Sequence, residues 1–263
     1  MSQFFLYVDR DSWLHRLDPR TKVLSLLGLF TVALLFTDPR YLAVAAGPAL
    51  LTLAAAGALG PLRKLTPLLL LLFLYCSLLW PFFVAGRTPL VSLAGHPFTR
   101  EALAFGVGMG LRLDLMLLGG LLLLATTTIE EFTLALQRLG LPGPMGFALS
   151  LAFRWAPSLI GSASQTVQAQ RSRGLDLSAG HLLARIRHYV PLLIPMIGHS
   201  LRQTGLLAMA LESKGYGPAA YQRTYLELRL RAADYLALTV VGIVVAVCLW
   251  LRWTGHGMIE VRF

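Results

Sequence analysis

Hydrophobic positions gather into five runs, and a more polar block separates the fifth from the rest. The runs are Val23–Thr37, Tyr41–Leu59, Leu65–Ala85, Glu101–Ile129 and Tyr235–Leu251. The first holds 15 residues, fewer than the ~20 that a membrane-spanning helix needs. It reads as a tilted hairpin arm or a helix that thins the bilayer locally. Asp38-Pro39-Arg40 makes a tight turn into Tyr41–Leu59, an uncharged run rich in Ala and Gly. Small residues there let helices pack closely in lipid. Gly60-Pro61-Leu62-Arg63-Lys64 reads as a turn whose paired charges belong on the cytoplasmic side. Leu65–Ala85 ends in Trp80, Phe82 and Phe83, residues of an interfacial aromatic belt. Gly86–Thr99 reads as an external loop. The pattern predicts an all-α polytopic membrane protein with about five transmembrane helices. Unbroken Leu/Ala runs exclude a transmembrane barrel, whose strands alternate in short segments.

The polar block has its own periodicity. Thr126-Thr127-Thr128 can cap a new helix with Glu130 and Glu131 in its first turn, where they complement the dipole. A short amphipathic helix over Phe132–Leu139 then stops at Gly140-Leu141-Pro142-Gly143-Pro144. Met145–Arg173 predicts a helix of about 44 Å at 1.5 Å per residue. Its second half, with Gln165, Gln168, Gln170, Arg171 and Arg173, is too polar for lipid. Leu175–Gly180 breaks it. His181–Lys214 is a second long helix containing Pro191 and Pro195, where a bend is expected. Gly215-Tyr216-Gly217-Pro218 stops that one, as glycine followed by proline does. The expected division is 1–128 for the first membrane helices, 129–231 for the domain of one short and two long helices, and 232–263 for the last span and tail.

Composition agrees. The 263 residues are 56% hydrophobic and only 14% charged, with a mean hydropathy of +0.65, whereas soluble domains carry about a quarter charged residues. The net charge is +10, and residues 129–231 hold eleven Lys/Arg against five Asp/Glu. The positive-inside rule places that block in the cytoplasm, beside anionic lipid. Five spans and an internal N-terminus then put the C-terminus outside. No basic stripe is interleaved with aromatics, so nucleic acid is not an expected partner. Cys76 and Cys248 lie in apolar runs, where neither a disulfide nor a metal site is expected. The first twenty residues lack a basic segment followed by an apolar one, so no cleavable signal is expected.

The chemistry is sparse. There is no P-loop, no His-Glu-x-x-His and no Gly-x-Ser-x-Gly. His181, His188 and His199 lack metal-ligand spacing and read as helix-end or surface residues. No catalytic, cofactor-binding or metal residue is expected. Arg112 and Asp114 lie deep in the fourth run, as candidate intramembrane polar contacts. Two positions apart, they do not share a helix face. The simpler reading is an interhelical ion pair or a snorkelling arginine; the functional one is contact with a moving partner.

Two short motifs remain. Gln170-Arg171-Ser172-Arg173-Gly174 ends one long helix and Glu212-Ser213-Lys214-Gly215 the next, with the central basic residues 41 positions apart. Lys and Arg commonly occupy a helix's last turn, with glycine after them. Two such ends on consecutive helices of one polar block suggest a plug for a soluble partner. Ser172, Gly174, Ser213 and Gly215 let another backbone approach, and Arg173 offers five donors to carboxylates and carbonyls.

These residues resemble the transmembrane T component of energy-coupling-factor (ECF) vitamin and metal-ion importers, the CbiQ/EcfT family, over nearly the whole chain. Leu17-Asp18-Pro19-Arg20-Thr21-Lys22 resembles the family's Leu-Asp-Pro-x-x-Lys segment. Arg154-Trp155-Ala156-Pro157 resembles its Arg-Phe-x-Pro step, Ala169-Gln170-Arg171-Ser172-Arg173-Gly174 its Ala-Gln-x-x-Arg-Gly helix end, and Glu212-Ser213-Lys214-Gly215 its second motif. Lys214 departs from the family's usual arginine and lacks the planar fork. The resemblance implies a crossed pair of coupling helices in a prokaryotic cell membrane protein. It implies that Arg173 and Lys214 dock two cytoplasmic ATPase subunits, which bind the ATP, and that a separate membrane-embedded S component selects the substrate. Gly161, Ser164, Gly198 and Gly205 are candidates for the close helix crossing. A conventional ABC permease would carry a Glu-Ala-Ala loop between spans, and none is found. An intramembrane enzyme would need convergent polar residues, and only Arg112 and Asp114 qualify.

Overall fold

A computed structural model describes residues 12–84, 86, 88–93, 96–174, 182–216, 230–255 and 257. The expected break at 175–180, the stop at Gly217-Pro218, and the segment after Gly257 lie outside them. Eight helices and one hairpin follow in order: α1 Pro19–Leu35, α2 Pro39–Ala55, α3 Leu59–Phe83, β1 Pro89–Leu93, β2 His96–Thr99, α4 Arg100–Thr126, α5 Ile129–Arg138, α6 Gly143–Ser172, α7 Leu182–Ser213 and α8 Ala232–Trp253. The chain divides into two units, Met1–Gly140 with Leu228–Phe263, and Leu141–Glu227.

In the first unit, α3, α4 and α8 are long and apolar enough to cross a membrane. Helices α1 and α2, 17 residues each, reach about 25 Å at 1.5 Å per residue, short of the ~30 Å hydrocarbon core. Both begin with an Asp-Pro pair. The Asp18 and Asp38 carboxylates each accept from the backbone N–H two residues on, at 2.9 Å, and proline at the first helical position surrenders no needed donor.

Three expectations shift. The turn before α3 is Ala56-Gly57-Ala58, with Gly57 at φ +71°, not 60–64. Pro61 is tolerated in a helix's first turn, so α3 starts before it. The segment expected as a plain loop carries the antiparallel β1–β2 hairpin, pairing Leu93 with His96 and Pro89 with Thr99. Lastly, α5 belongs with the membrane helices, not with α6 and α7, because it packs on α1 and buries Thr133, Leu134 and Ala135. It starts at Ile129, three residues before the expected Phe132, at the expected threonine cap: the Thr128 hydroxyl accepts from Glu131 N–H, and the Glu131 carboxylate accepts from Thr128 N–H, a reciprocal cap.

Helix α4 is the centre of the unit, packing on α1, α2 and α3. Its glycines set the spacing. A Cβ on Gly106 would lie 3.1 Å from the Ser77 carbonyl oxygen, and one on Gly110 would lie 2.9 Å from the Phe73 ring and 3.1 Å from the Phe73 carbonyl oxygen. On another face, a Cβ on Gly108 would strike the carbonyl of Thr37. Glycines four apart on one face let two backbones approach in lipid. Leu115, Leu118, Leu121 and Ala125 then close the core against α1 and α2 residues such as Val32, Phe36, Leu42 and Leu53.

In the second unit, α6 and α7 pair. The Phe147 ring, early in α6, lies 4.6 Å from that of Tyr216, just past α7. The end of α7 therefore returns to the start of α6. The pair buries little: Gly146 and Leu192 are buried, while Val190, Ile194, Ile197 and Leu201 stand exposed along α7.

Candidate functional site

The two basic helix ends share one local structure. In α6, Ser172 is the last helical residue, Arg173 follows at the cap, and Gly174 takes φ +88°. The Gly174 N–H donates to the Arg171 carbonyl at 2.9 Å. In α7, Ser213 is last, Lys214 follows, and Gly215 takes φ +75°. The Gly215 N–H donates to the Glu212 carbonyl at 2.9 Å, and the Tyr216 N–H reaches back to the Leu211 carbonyl at 2.9 Å. This pair of bonds is the glycine-dependent helix stop that consumes orphan carbonyls. Glycine is needed because the left-handed conformation penalises any Cβ.

The serines turn inward onto their own helices. Ser172 Oγ donates to the Gln168 carbonyl at 3.1 Å and Ser213 Oγ to the Ala210 carbonyl at 2.9 Å. They serve as small, satisfied neighbours rather than free donors. Arg173 and Lys214 are exposed; their backbone N–H groups donate to the Gln170 and Leu211 carbonyls, and neither side chain makes a hydrogen bond or ion pair among the described residues. Each positive charge therefore sits unspent at the negative end of its helix dipole. The structure does not bring the two together. Tyr216 lies beside Phe147, and the 26 residues from Phe147 to Arg173 extend about 39 Å along α6. The surface thus offers two separate cationic tips, one at each end of the helix pair.

The glycines expected to mediate close crossing do not. A Cβ on Gly161, Gly198 or Gly205 would meet nothing within 4 Å, and the Ser164 hydroxyl donates to the Gly161 carbonyl. Close backbone approaches lie instead in α4, at Gly106 and Gly110 on one face and Gly108 on another.

Arg112 and Asp114 also part company. Arg112 Nε donates to the Ala33 carbonyl at 2.9 Å and Nη2 to the Phe36 carbonyl at 2.6 Å. It caps the C-terminus of α1 from the side, where cations are favoured and carbonyls lack helical partners. The contact is interhelical but is not an ion pair. Asp114 Oδ1 is buried without a hydrogen-bond partner among the described residues, so no polar pair forms between them. No cluster of three or more His, Cys, Asp or Glu that could hold a metal occurs among the described residues.

The chain as a whole is similar to known transport proteins. The family described as CbiQ, cobalt transport protein, matches residues 10–226. The chain is 33% identical to the energy-coupling factor transporter transmembrane protein EcfT of Heliobacterium modesticaldum, covering 94% of this chain and 96% of that protein. It is 30% identical to the protein of the same name from Acidaminococcus fermentans, over 94% and 95%. It is 32% identical to that of Thermanaerovibrio acidaminovorans, over 94% of each.

Proposed function

The chain belongs to the CbiQ cobalt transport protein family, and from that membership we propose that it is the non-catalytic coupling subunit of an ECF-type importer. Two ATPase subunits dock on the cytoplasmic side, one at Arg173 and one at Lys214, and bind the ATP. A separate membrane-embedded S component binds the substrate, a vitamin or a cobalt or nickel ion. ATP-driven motion of the ATPases passes through α6 and α7 to that component. The observation that carries this reading is the repeated helix end: serine, exposed cation and left-handed glycine, twice, about 39 Å apart along α6. A single ligand would call for one converging site, and two separated tips suit two copies of a similar groove. The exposed apolar row Val190, Ile194, Ile197 and Leu201 on α7 suits contact with a membrane-embedded partner.

The test is affinity purification of the tagged chain from its own host. Two ATPase subunits and a small hydrophobic protein are expected to co-purify, and uptake of labelled cobalt, nickel or a B vitamin is expected to depend on the chain. Recovery of the chain alone, with uptake unchanged on its deletion, overturns the proposal. Topology is tested by reporters after Gly180 and after Phe263. Opposite sides are expected, and the same side for both would overturn the five-span arrangement.

A further inference from the structure

The first unit holds a cavity of about 380 Å³ among α1, α2, α4 and α8. Helices α1 and α2 are joined by residues 36–38 alone yet scarcely touch beyond that turn, whereas α1 packs on α8 and α2 on α4. The cavity occupies the wedge between them. Its walls are not loose. A Cβ on Gly28 would lie 2.6 Å from Val241, and one on Gly119 would lie 2.6 Å from Leu29, so at these two points the helices already meet as closely as their side chains allow. Leu236, Val240 and Val244 of α8 line the cavity and stand exposed, so it opens sideways. Helices α4 and α8 are long and apolar enough to cross a membrane, and the medium beside that opening is therefore hydrocarbon.

Size, length and chemistry select the occupant. A dry cavity of about 150 Å³ takes benzene, so 380 Å³ has room for about fifteen carbons on the same scale, the bulk of one acyl tail. Along α1 the lining runs from Thr21 to Val32, about 16 Å at 1.5 Å per residue, and one leaflet supplies about half of the ~30 Å hydrocarbon core. The lining is mostly apolar, and its polar side chains gather toward one end, where Thr21, Lys22 and Thr126 meet it. Thr21 is 1% exposed, and its Oγ1 has no hydrogen-bond partner among the described residues. Lys22 Nζ donates to the Thr126 carbonyl at 2.7 Å and to the His15 carbonyl at 3.1 Å, two of the three donors that an ammonium carries. A buried hydroxyl left unpaired is costly, and hydrocarbon alone would not satisfy it. Asp18 and Asp234 stand near the ammonium, so this end has no excess of positive charge and suits an uncharged acceptor better than a bare phosphate. The ester carbonyl that joins a tail to glycerol is such an acceptor, placed where hydrocarbon ends. Trp13, exposed at the same end, has the amphipathic ring that favours that level. We propose that the cavity holds one acyl tail of a phospholipid from the leaflet at the start of α1, with the ester carbonyl accepting from Thr21 Oγ1 and Lys22 Nζ, so that a lipid molecule completes the packing of α1 against α2. The site does not depend on the coupling role.

The test uses the full chain in nanodiscs of phosphatidylcholine that carries a photo-reactive diazirine in mid-tail. After transfer to detergent and washing, phosphorus analysis and native mass spectrometry count the phospholipid retained per chain. A single molecule is expected, and illumination is expected to label the peptides of α1, α2 and α8 that line the cavity. Ala49→Trp, which fills the cavity from α2, is expected to abolish retention. Thr21→Val keeps the shape and removes the hydroxyl. It is expected to lower retention without lowering the melting temperature of the lipid-free chain, because no protein group loses a hydrogen bond. A merely structural Thr21 would leave the lipid count at the parent value. Phosphatidylglycerol is expected to be retained as well as phosphatidylcholine, since the two share their esters. The proposal is overturned by a parent chain that retains no lipid, by parent-level retention in the variants that accumulate, or by retention of phosphatidylglycerol alone. It is equally overturned by label confined to exposed α3 residues such as Leu71 and Leu74, the mark of ordinary boundary lipid. Where no lipid is retained, cross-linking from position 49 shows whether a second copy or residues 1–11 of this chain fill the cavity instead.

Discussion

The two units of this chain use charge in opposite ways. In the membrane unit, two cations turn inward. Arg112 and Lys22 donate to carbonyls at the ends of neighbouring helices, and Asp234 accepts two backbone N–H groups. In the α6–α7 unit, Arg173 and Lys214 stand exposed, their side chains without a partner among the described residues. Glycine shows the same contrast. At Gly106, Gly108 and Gly110 of α4 a backbone lies against the helix, whereas Gly161, Gly198 and Gly205 of α6 and α7 face open space. A cation already satisfied by its own fold holds helices together. One left unsatisfied at a helix tip is available to something else. On the proposed coupling role, the first unit keeps its shape and the second is gripped.

The sharpest way to break this comparison is to remove both tips. Arg173→Ala with Lys214→Ala is expected to abolish uptake and ATPase co-purification while leaving membrane insertion and the melting temperature unchanged. Losing one partner of a buried charge pair at an interface costs about 2–5 kcal/mol, and both contacts vanish together. Normal uptake at normal expression would show that these ends are ordinary caps. The converse substitution is Arg112→Ala, which leaves two α1 carbonyls without their donor. It is expected to destabilise the chain by about 1.5–3 kcal/mol, the range for hydrogen bonds to a charged group, with uptake per assembled complex intact. A detergent melt and a specific-activity measurement separate the two effects. Lost uptake at full stability would instead make Arg112 a contact of the moving partner.

Glycine sharpens the contrast with a smaller effect. Gly198→Ala, on an exposed part of α7, is expected to raise stability by up to about 1 kcal/mol, since alanine is the better helix former. Gly108→Ala is expected to lower it by about 1–3 kcal/mol, because the new methyl group overpacks the α4 contact with Thr37. Equal melting shifts of one sign would erase the distinction. The smallest effects belong to conservative exchanges at the tips. Lys214→Arg is expected to preserve uptake, and Arg173→Lys to lower it measurably, because an ammonium lacks the planar fork that engages a carboxylate with two bonds.

Much of this was legible in the sequence, and for physical reasons. Helix α5 begins at Thr128 because its cap is local, complete within three residues. The ends at Gly174 and Gly215 are legible for the same reason. Hydropathy found the five apolar helices but placed the turn before α3 too late, since Pro61 resembles a helix breaker yet fits a first turn. What escaped notice is long-range. Arg112 finds acceptors 76 and 79 positions away, and Asp18 finds Asp234 across 216. Two of those acceptors are main-chain carbonyls, which carry no mark in a sequence. The hairpin at 89–99 and the allegiance of α5 to α1 likewise depend on pairing that no local pattern announces.

The distance between the tips has a kinetic consequence. Both belong to one polypeptide, so on the proposed coupling role, once a first ATPase subunit has docked, a second held to it would meet the other tip at an effective concentration in the millimolar range, as for linked binding modules (about mM for short connections). Neither grip then needs to be tight. One can slip and re-form during a catalytic cycle while the other holds, and the assembly outlasts the lifetime of either contact. Weak, exposed, single-residue anchors thus suit a machine that has to move repeatedly without coming apart.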